Sequence, residues 1–215
     1  MVTVVLLMAL VVTALVLELQ PEPGPQEGTS STGRATSADL YCLEFSRFSG
    51  AFVEDGTNEP VTNVAAALIE NRSREFLDRA TVTYDVGGRT AEFVVTGLPP
   101  GAKAWVLESH RMRLDGSPEF KFRECTSSFR QNAVLTTELL SLSAKGNTLT
   151  VRNESDQILE NVCIYYKTLN PDGAYLGGIT YMIAFDTLRP GDVAEKTAAH
   201  FSEDARVVRY SYQSG

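Results

Sequence analysis

The chain has 215 residues, 43% of them hydrophobic and 21% charged, with a formal net charge of -8. That apolar content is enough to bury a core and excludes wholesale disorder. The acidic balance argues against a nucleic-acid reader, because phosphate backbones are bound by clustered Lys and Arg, so no nucleic acid is expected as a partner.

The first element is apolar. Val2 to Leu19, "VTVVLLMALVVTALVLEL", carries a single charge, Glu18. As a helix it would extend about 27 Å, close to the thickness of a bilayer's hydrocarbon core. Residues 1–19 are therefore predicted to be a transmembrane or signal-anchor helix. A cleaved signal peptide is the rival reading, but it calls for a basic leading segment, and the first Lys or Arg is Arg34. A start further upstream that carries the missing positive charges is a third reading.

Residues 20–38, "QPEPGPQEGTSSTGRATSA", contain no large apolar side chain and read as a disordered Pro/Gly/Ser/Thr stalk. An anchor followed by a stalk would hold a compact module clear of a membrane. The expected location is the cell membrane, single-pass, with the C-terminal part extracytoplasmic. The membrane itself is then a partner through the N-terminal helix.

After the stalk the pattern changes to strands. "LDRATVTY", "TAEFVVT" and "EFKF" alternate or run apolar in short pieces rich in Val, Thr, Phe and Tyr. Turn chemistry such as "DVGG", "PPG", "DGSP", "NPDG" and "RPG" separates them. "NAVLTTELLSL" is read as a linking strand. Beyond the anchor no stretch has helical periodicity, so the folded part is predicted to be all-β and antiparallel.

The strands also occur twice. Asn71-x-Ser73, Leu77, Val82 and Tyr84 recur 82 residues later as Asn153-x-Ser155, Leu159, Ile164 and Tyr166. An eight-residue lengthening at "NPDGAYLGG" moves the offset to 90, and Leu98, Pro100, Gly101, Ala104 and His110 then meet Leu188, Pro190, Gly191, Ala194 and His200. Phe120 and Phe122 likewise meet Tyr210 and Tyr212. A repeat of this size is large enough to be a domain, which predicts two tandem antiparallel Ig-like β-sandwiches over residues 39–130 and 131–215.

The string Asn71-x-Ser73, Leu77, Val82, Tyr84-Asp85, Gly88, Leu98, Pro100-Gly101 resembles the FxLYD-type domain, a bacterial Ig-like sandwich. The second copy is similar at Asn153, Ser155, Leu159, Tyr165, Asp172-Gly173, Leu188 and Pro190-Gly191, although "VTYD" of the first copy becomes "IYYK" in the second. The resemblance implies an envelope-facing module that binds or builds and performs no chemistry. In such a sandwich the strands carrying Cys42 and Cys125 can be neighbours, so a Cys42–Cys125 disulfide is open in an oxidising compartment. Three unpaired thiols, Cys163 included, are the alternative.

Few residues invite chemistry. His110 and His200 are the only histidines, and their equivalence in the repeat places them in different units, which disfavours a shared metal or an acid–base pair. Asn71 and Asn153 fit the glycosylation sequon and also fit turn caps. Asp85, Asp115, Asp172 and Asp192 sit beside turn glycine or proline and lack the density of a calcium loop. No nucleophile, P-loop or dinucleotide motif is present, so no catalytic residue, metal or cofactor is expected.

One stretch stands out. In "HRMRLDGSPEFKFR", Met112 and Leu114 pair by parity with Phe120 and Phe122 across an Asp115-Gly116 turn, which would put Arg111, Arg113, Lys121 and Arg123 on one face. Such a face would bind an anionic envelope component or a protein partner; the alternatives are a solvated face or a contact with the acidic second unit. The expectation is a non-catalytic, envelope-anchored binding or scaffold protein. A sensing or assembly subunit of a membrane complex is the alternative, and an enzyme of unidentified type is the remaining one.

Overall fold

The computed structural model describes residues 34–35, 37, 39–51 and 59–215. The apolar run 1–19 and most of the expected stalk lie outside them. Among the described residues no helix is long and apolar enough to cross a membrane, and every regular element is a strand. In chain order these are β1 (Arg34–Ala35), β2 (Leu40–Ala51), β3 (Pro60–Asn71), β4 (Phe76–Val86), β5 (Arg89–Leu98), β6 (Lys103–Leu107) and β7 (Phe120–Arg130). They continue with β8 (Leu140–Lys145), β9 (Thr148–Asn153), β10 (Leu159–Leu169), β11 (Tyr175–Leu188), β12 (Val193–Thr197) and β13 (Ala205–Ser214). Arg34 and Ala35, at the end of the expected stalk, pair with Cys42 and Tyr41.

The period-2 pattern explains the strands. On β4, Ala80, Val82, Tyr84 and Val86 are buried, whereas Arg79 is exposed and Asp85 half-exposed on the other face. The β4–β5 hairpin closes through Gly87 at φ 60° and Gly88 at φ 79°. A tight turn of this hand requires positive φ at both central positions, which glycine adopts without cost.

Strand order reproduces the repeat. β2-β3-β6 in the first half corresponds to β8-β9-β12 in the second, and β5-β4-β7 corresponds to β11-β10-β13. Each half buries its own core between its two sheets. In the first, Phe45 of β2 stacks on Phe120 of β7 with ring centroids 3.9 Å apart, and Tyr84 meets Phe45 edge-on at 4.8 Å. In the second, Tyr166 packs edge-on against Phe201 at 5.1 Å, among Leu159, Ile164 and Phe185.

A buried asparagine closes the same corner in both halves. Asn71 and Asn153 are fully buried. The Nδ2 of Asn71 donates to the carbonyls of Glu75 and Leu98, and its Oδ1 accepts from the amide and hydroxyl of Ser73. Asn153 repeats the pattern with Gln157, Leu188 and Ser155. Each amide therefore bridges a turn to the end of a neighbouring strand. An Nδ2 enclosed in this way is no acceptor for a glycan.

The halves are joined rather than merely consecutive. β11 runs past the second core and its first residues, Tyr175 and Leu176, pair in parallel with Ala104 and Trp105 of β6. One seven-stranded sheet, β1-β2-β3-β6-β11-β10-β13, thus crosses both halves. The joining stretch is the eight-residue lengthening seen in the sequence. Asp172 accepts a 3.2 Å bond from the Trp105 indole, and Ala174 is buried against Trp105 and Leu107. Thr180 donates its amide to the Thr96 hydroxyl and its own hydroxyl to the Thr96 carbonyl, at 2.9 and 2.8 Å. Gly178 lies so close that a Cβ there would come within 2.0 Å of the Val94 carbonyl oxygen.

Candidate binding surface

The expected basic hairpin does not form. β7 pairs with β4, not with the segment before it. Residues 112–114 instead continue the line of β6 along β3: Ala65 donates to the Met112 carbonyl, and Leu114 donates to that of Asn63. Leu114 and Phe120 enter one core from opposite sheets, so the chain between them crosses from sheet to sheet. Alternation alone could not separate this path from a hairpin, because both bury Leu114 and Phe120; Phe122, expected on the same inner face, is instead 38% exposed.

The four cations are divided accordingly. Arg111 and Arg113 belong to the β3–β6 side, and Lys121 and Arg123 to β7. Arg89, which the sequence did not single out, links part of the set. Its Nη2 donates to the Arg113 carbonyl at 3.1 Å, and beside it the Thr90 hydroxyl accepts from Arg123 Nη1 at 2.7 Å. Arg89, Arg113 and Arg123 therefore gather around the β4–β5 turn. Lys121 pairs in register with Asp85 at that end and lies 3.6 Å from Glu119, both side chains well exposed. An exposed pair of this kind contributes little to stability and leaves the ammonium free to exchange partners.

Arg111 lies apart. It sits in an excursion, Glu108 to Met112, shaped by the Glu108 carboxylate, which is 2% exposed. That carboxylate accepts from the amides of Glu92, His110 and Met112 at 3.1, 2.9 and 2.7 Å. Three main-chain donors satisfy a buried carboxylate without a cation. The excursion holds Arg111 at φ 56°, a conformation uncommon for a bulky side chain. Arg111 lines a cleft of about 520 Å³ between the halves, walled by Arg79, Val94, Leu107 and Ile179.

The histidines stay apart. His110 is exposed, its Nδ1 3.5 Å from Glu108, whereas His200 stacks on the Tyr181 ring at 4.9 Å. Among the described residues no cluster of His, Cys, Asp and Glu could hold a metal. All three cysteines are free thiols. The Cys42–Cys125 bridge is not formed: the Cys42 thiol lies in the core and donates along its own strand to the Glu44 carbonyl at 3.5 Å. Burial pushes that thiol up to about 12, and burial also raises Cys125. The Tyr84 hydroxyl is buried beside them without a hydrogen-bond partner. Neither a nucleophile beside a base nor a thiolate results from this arrangement.

No protein-family model matches the chain, and a search of curated proteins finds no match.

Proposed function

We propose that the chain is a non-catalytic, envelope-anchored scaffold of two tandem Ig-like sandwiches of FxLYD type. On this reading, residues 1–19 form a single-pass anchor, the folded part is extracytoplasmic, and its cationic end contacts an anionic envelope component. The observation that carries the reading is where the cations lie. The chain enters the first half at Leu40, which pairs with Asn71. The cluster of Arg89, Arg113, Lys121 and Arg123 surrounds the β4–β5 turn at the other end. β4 runs the distance between the two ends, about 35 Å at roughly 3.3 Å per residue. A module tethered at Leu40 would thus present these charges away from its point of attachment. The joined sheet supports the scaffold role, since the second half keeps a set position relative to that end.

The test has two arms. After alkaline carbonate washing, the full-length chain should stay with the membrane fraction; release would remove the anchor from the proposal. Lys121→Glu with Arg123→Glu should weaken co-sedimentation with isolated anionic wall polymer by about tenfold, with an unchanged thermal midpoint. Wild-type binding should itself fade with added salt. A reversed variant that binds as the wild type does would remove the cationic contact.

A further inference from the structure

We propose that the chain forms a two-fold homodimer in which β7 of one copy pairs antiparallel with β7 of a second, centred on Ser127. β7 is the outermost strand of β5-β4-β7, and among the described residues no main-chain hydrogen bond reaches its far side. Its own bulge lies at Arg123, and the other irregularity in the pair falls on β4 at Asp78. The stretch from Glu124 to Arg130, "ECTSSFR", therefore offers an unbroken row of unpaired donors and acceptors. Such a row is a template for another strand unless the sequence guards it.

The other edges are guarded. β12 exposes Glu195 and Lys196, β8 stops at Lys145 after 6 residues, and β1 has only 2. β5 is braced by β11, through the bonds of Thr180 to Thr96. The repeat supplies the sharpest contrast. β13 is the counterpart of β7, and there the Tyr210 amide donates to the Val134 carbonyl at 2.7 Å. That bond closes the edge at the position equivalent to Phe120. β7 has no such cover, and from Glu124 to Arg130 it has neither Lys nor Pro.

Charge selects the occupant and the register. Glu124 is exposed and makes no ion pair among the described residues. Arg130 bonds Asp78 through Nε at 2.9 Å and keeps its side chain 47% exposed, so the rest of its guanidinium fork can take a second carboxylate. Glu124 and Arg130 stand at equal distances on either side of Ser127 and on one face of the strand. A second copy turned about Ser127 thus sets its Arg130 against Glu124 and its Glu124 against Arg130. Thr126 then meets the partner's Ser128, and on the inner face half-buried Cys125 meets the partner's Phe129. Moving the centre to Thr126 would oppose Glu124 to Ser128 and draw the bulged Arg123 into the ladder. Moving it to Ser128 would leave Glu124 beyond the end of the partner's strand. The cationic β4–β5 turns lie at opposite ends of the pair.

Sedimentation equilibrium of the full-length chain in density-matched detergent micelles reads the association. The wild type should dimerise reversibly. Glu124→Arg and Arg130→Glu should each weaken the dimer at least about tenfold, because each sets like charges opposite one another at two places. Mixed in equal amounts, the two variants should recover the wild-type affinity within about threefold, since the mixed pair has opposite charges at both places. Each alone should keep the wild-type thermal midpoint, as exposed charges contribute little to folding. In a chain carrying Cys125→Ser and Cys163→Ser, Ser127→Cys should cross-link to its own twin under copper-phenanthroline oxidation. Ser128→Cys, which faces the partner's Thr126, should not. A wild type that stays monomeric overturns the proposal and leaves the edge to a strand of another protein. A dimer that both variants leave intact is held elsewhere and overturns it too, as does a mixture that stays monomeric or a Ser128→Cys chain that links as readily as Ser127→Cys. None of these outcomes bears on the scaffold reading, which rests on the cations at the β4–β5 turn of a single chain.

Discussion

The Nζ of Lys167 donates to the Ile179 carbonyl at 2.7 Å and to the Thr96 carbonyl at 3.3 Å. One buried ammonium thus ties β11 of the second half to β5 of the first. Lys167 stands 82 residues after Asp85, whose carboxylate caps the β4–β5 turn through the Gly88 amide. The same repeat position has been turned from a turn cap into a joint.

Lys167→Ala should leave the Ile179 carbonyl without this donor, while the Thr96 carbonyl keeps the Thr180 hydroxyl. A cost of about 1–3 kcal/mol is expected, the scale for one abandoned acceptor. Because the joint weakens while both cores stay intact, calorimetric unfolding should split from one transition into two. A single transition at the wild-type midpoint would show that the halves are held together elsewhere.

Asn71→Ala and Asn153→Ala should cost similar amounts, about 2–4 kcal/mol each, since each deletes two donated bonds and two accepted ones at a buried corner. Urea denaturation of the two variants checks the equivalence. A large loss at one asparagine and none at the other would mean the corners do different work.

Tyr84→Phe should be neutral or stabilising by up to about 1 kcal/mol, because it removes a buried hydroxyl that has no partner while keeping the ring packed on Phe45. Tyr84→Ala should instead cost about 3–5 kcal/mol through the cavity it opens. The urea midpoints of the two variants should therefore move in opposite directions, or the first not at all.

Alkali should unfold the protein early. Burial raises Cys42 to about 12 and also raises Tyr84, Tyr166 and Tyr210. For an acid raised on folding, the native state holds its proton longer than the unfolded chain does. The stability is therefore whole below the unfolded value, near 9.0 for the thiol, and is lost as pH rises towards about 12. Across that window the thiol alone contributes a slope of roughly 1.4 kcal/mol per pH unit. Denaturant midpoints measured from pH 8 to 11 should fall steadily, and Cys42→Ala should flatten the fall.

The corners were legible because their information is local. An Asn-x-Ser before an alternating run, and a Leu-x-Pro-Gly after the next, specify the same bonds in each copy. The all-β class followed from the same alternation, Ala80, Val82 and Tyr84 inward and Arg79 outward. The joint was written less plainly. Its signals were the added residues "NPDGAYLGG" and a lysine where the first copy has Asp85, yet neither names a partner strand. The grouping of Arg89 with Arg113 and Arg123 was hidden for the same reason. It depends on which sheet β7 enters, and Leu114 and Phe120 would be buried on either path.

The parallel contact of Tyr175 and Leu176 with β6 also limits how many units can follow one another. It is a head-to-tail contact, and such contacts propagate into filaments when every unit offers both a donor segment and an acceptor edge. Here the donor segment is the lengthened start of β11, and the first half has no counterpart, since β5 begins directly at Arg89 after a tight turn. The acceptor edge of the second half is β12, which exposes Glu195 and Lys196, side chains that discourage an incoming strand. Among the described residues, the donor segment at the start of β11 is already paired within the same molecule. A further unit would require an insertion of its own to join in the same way.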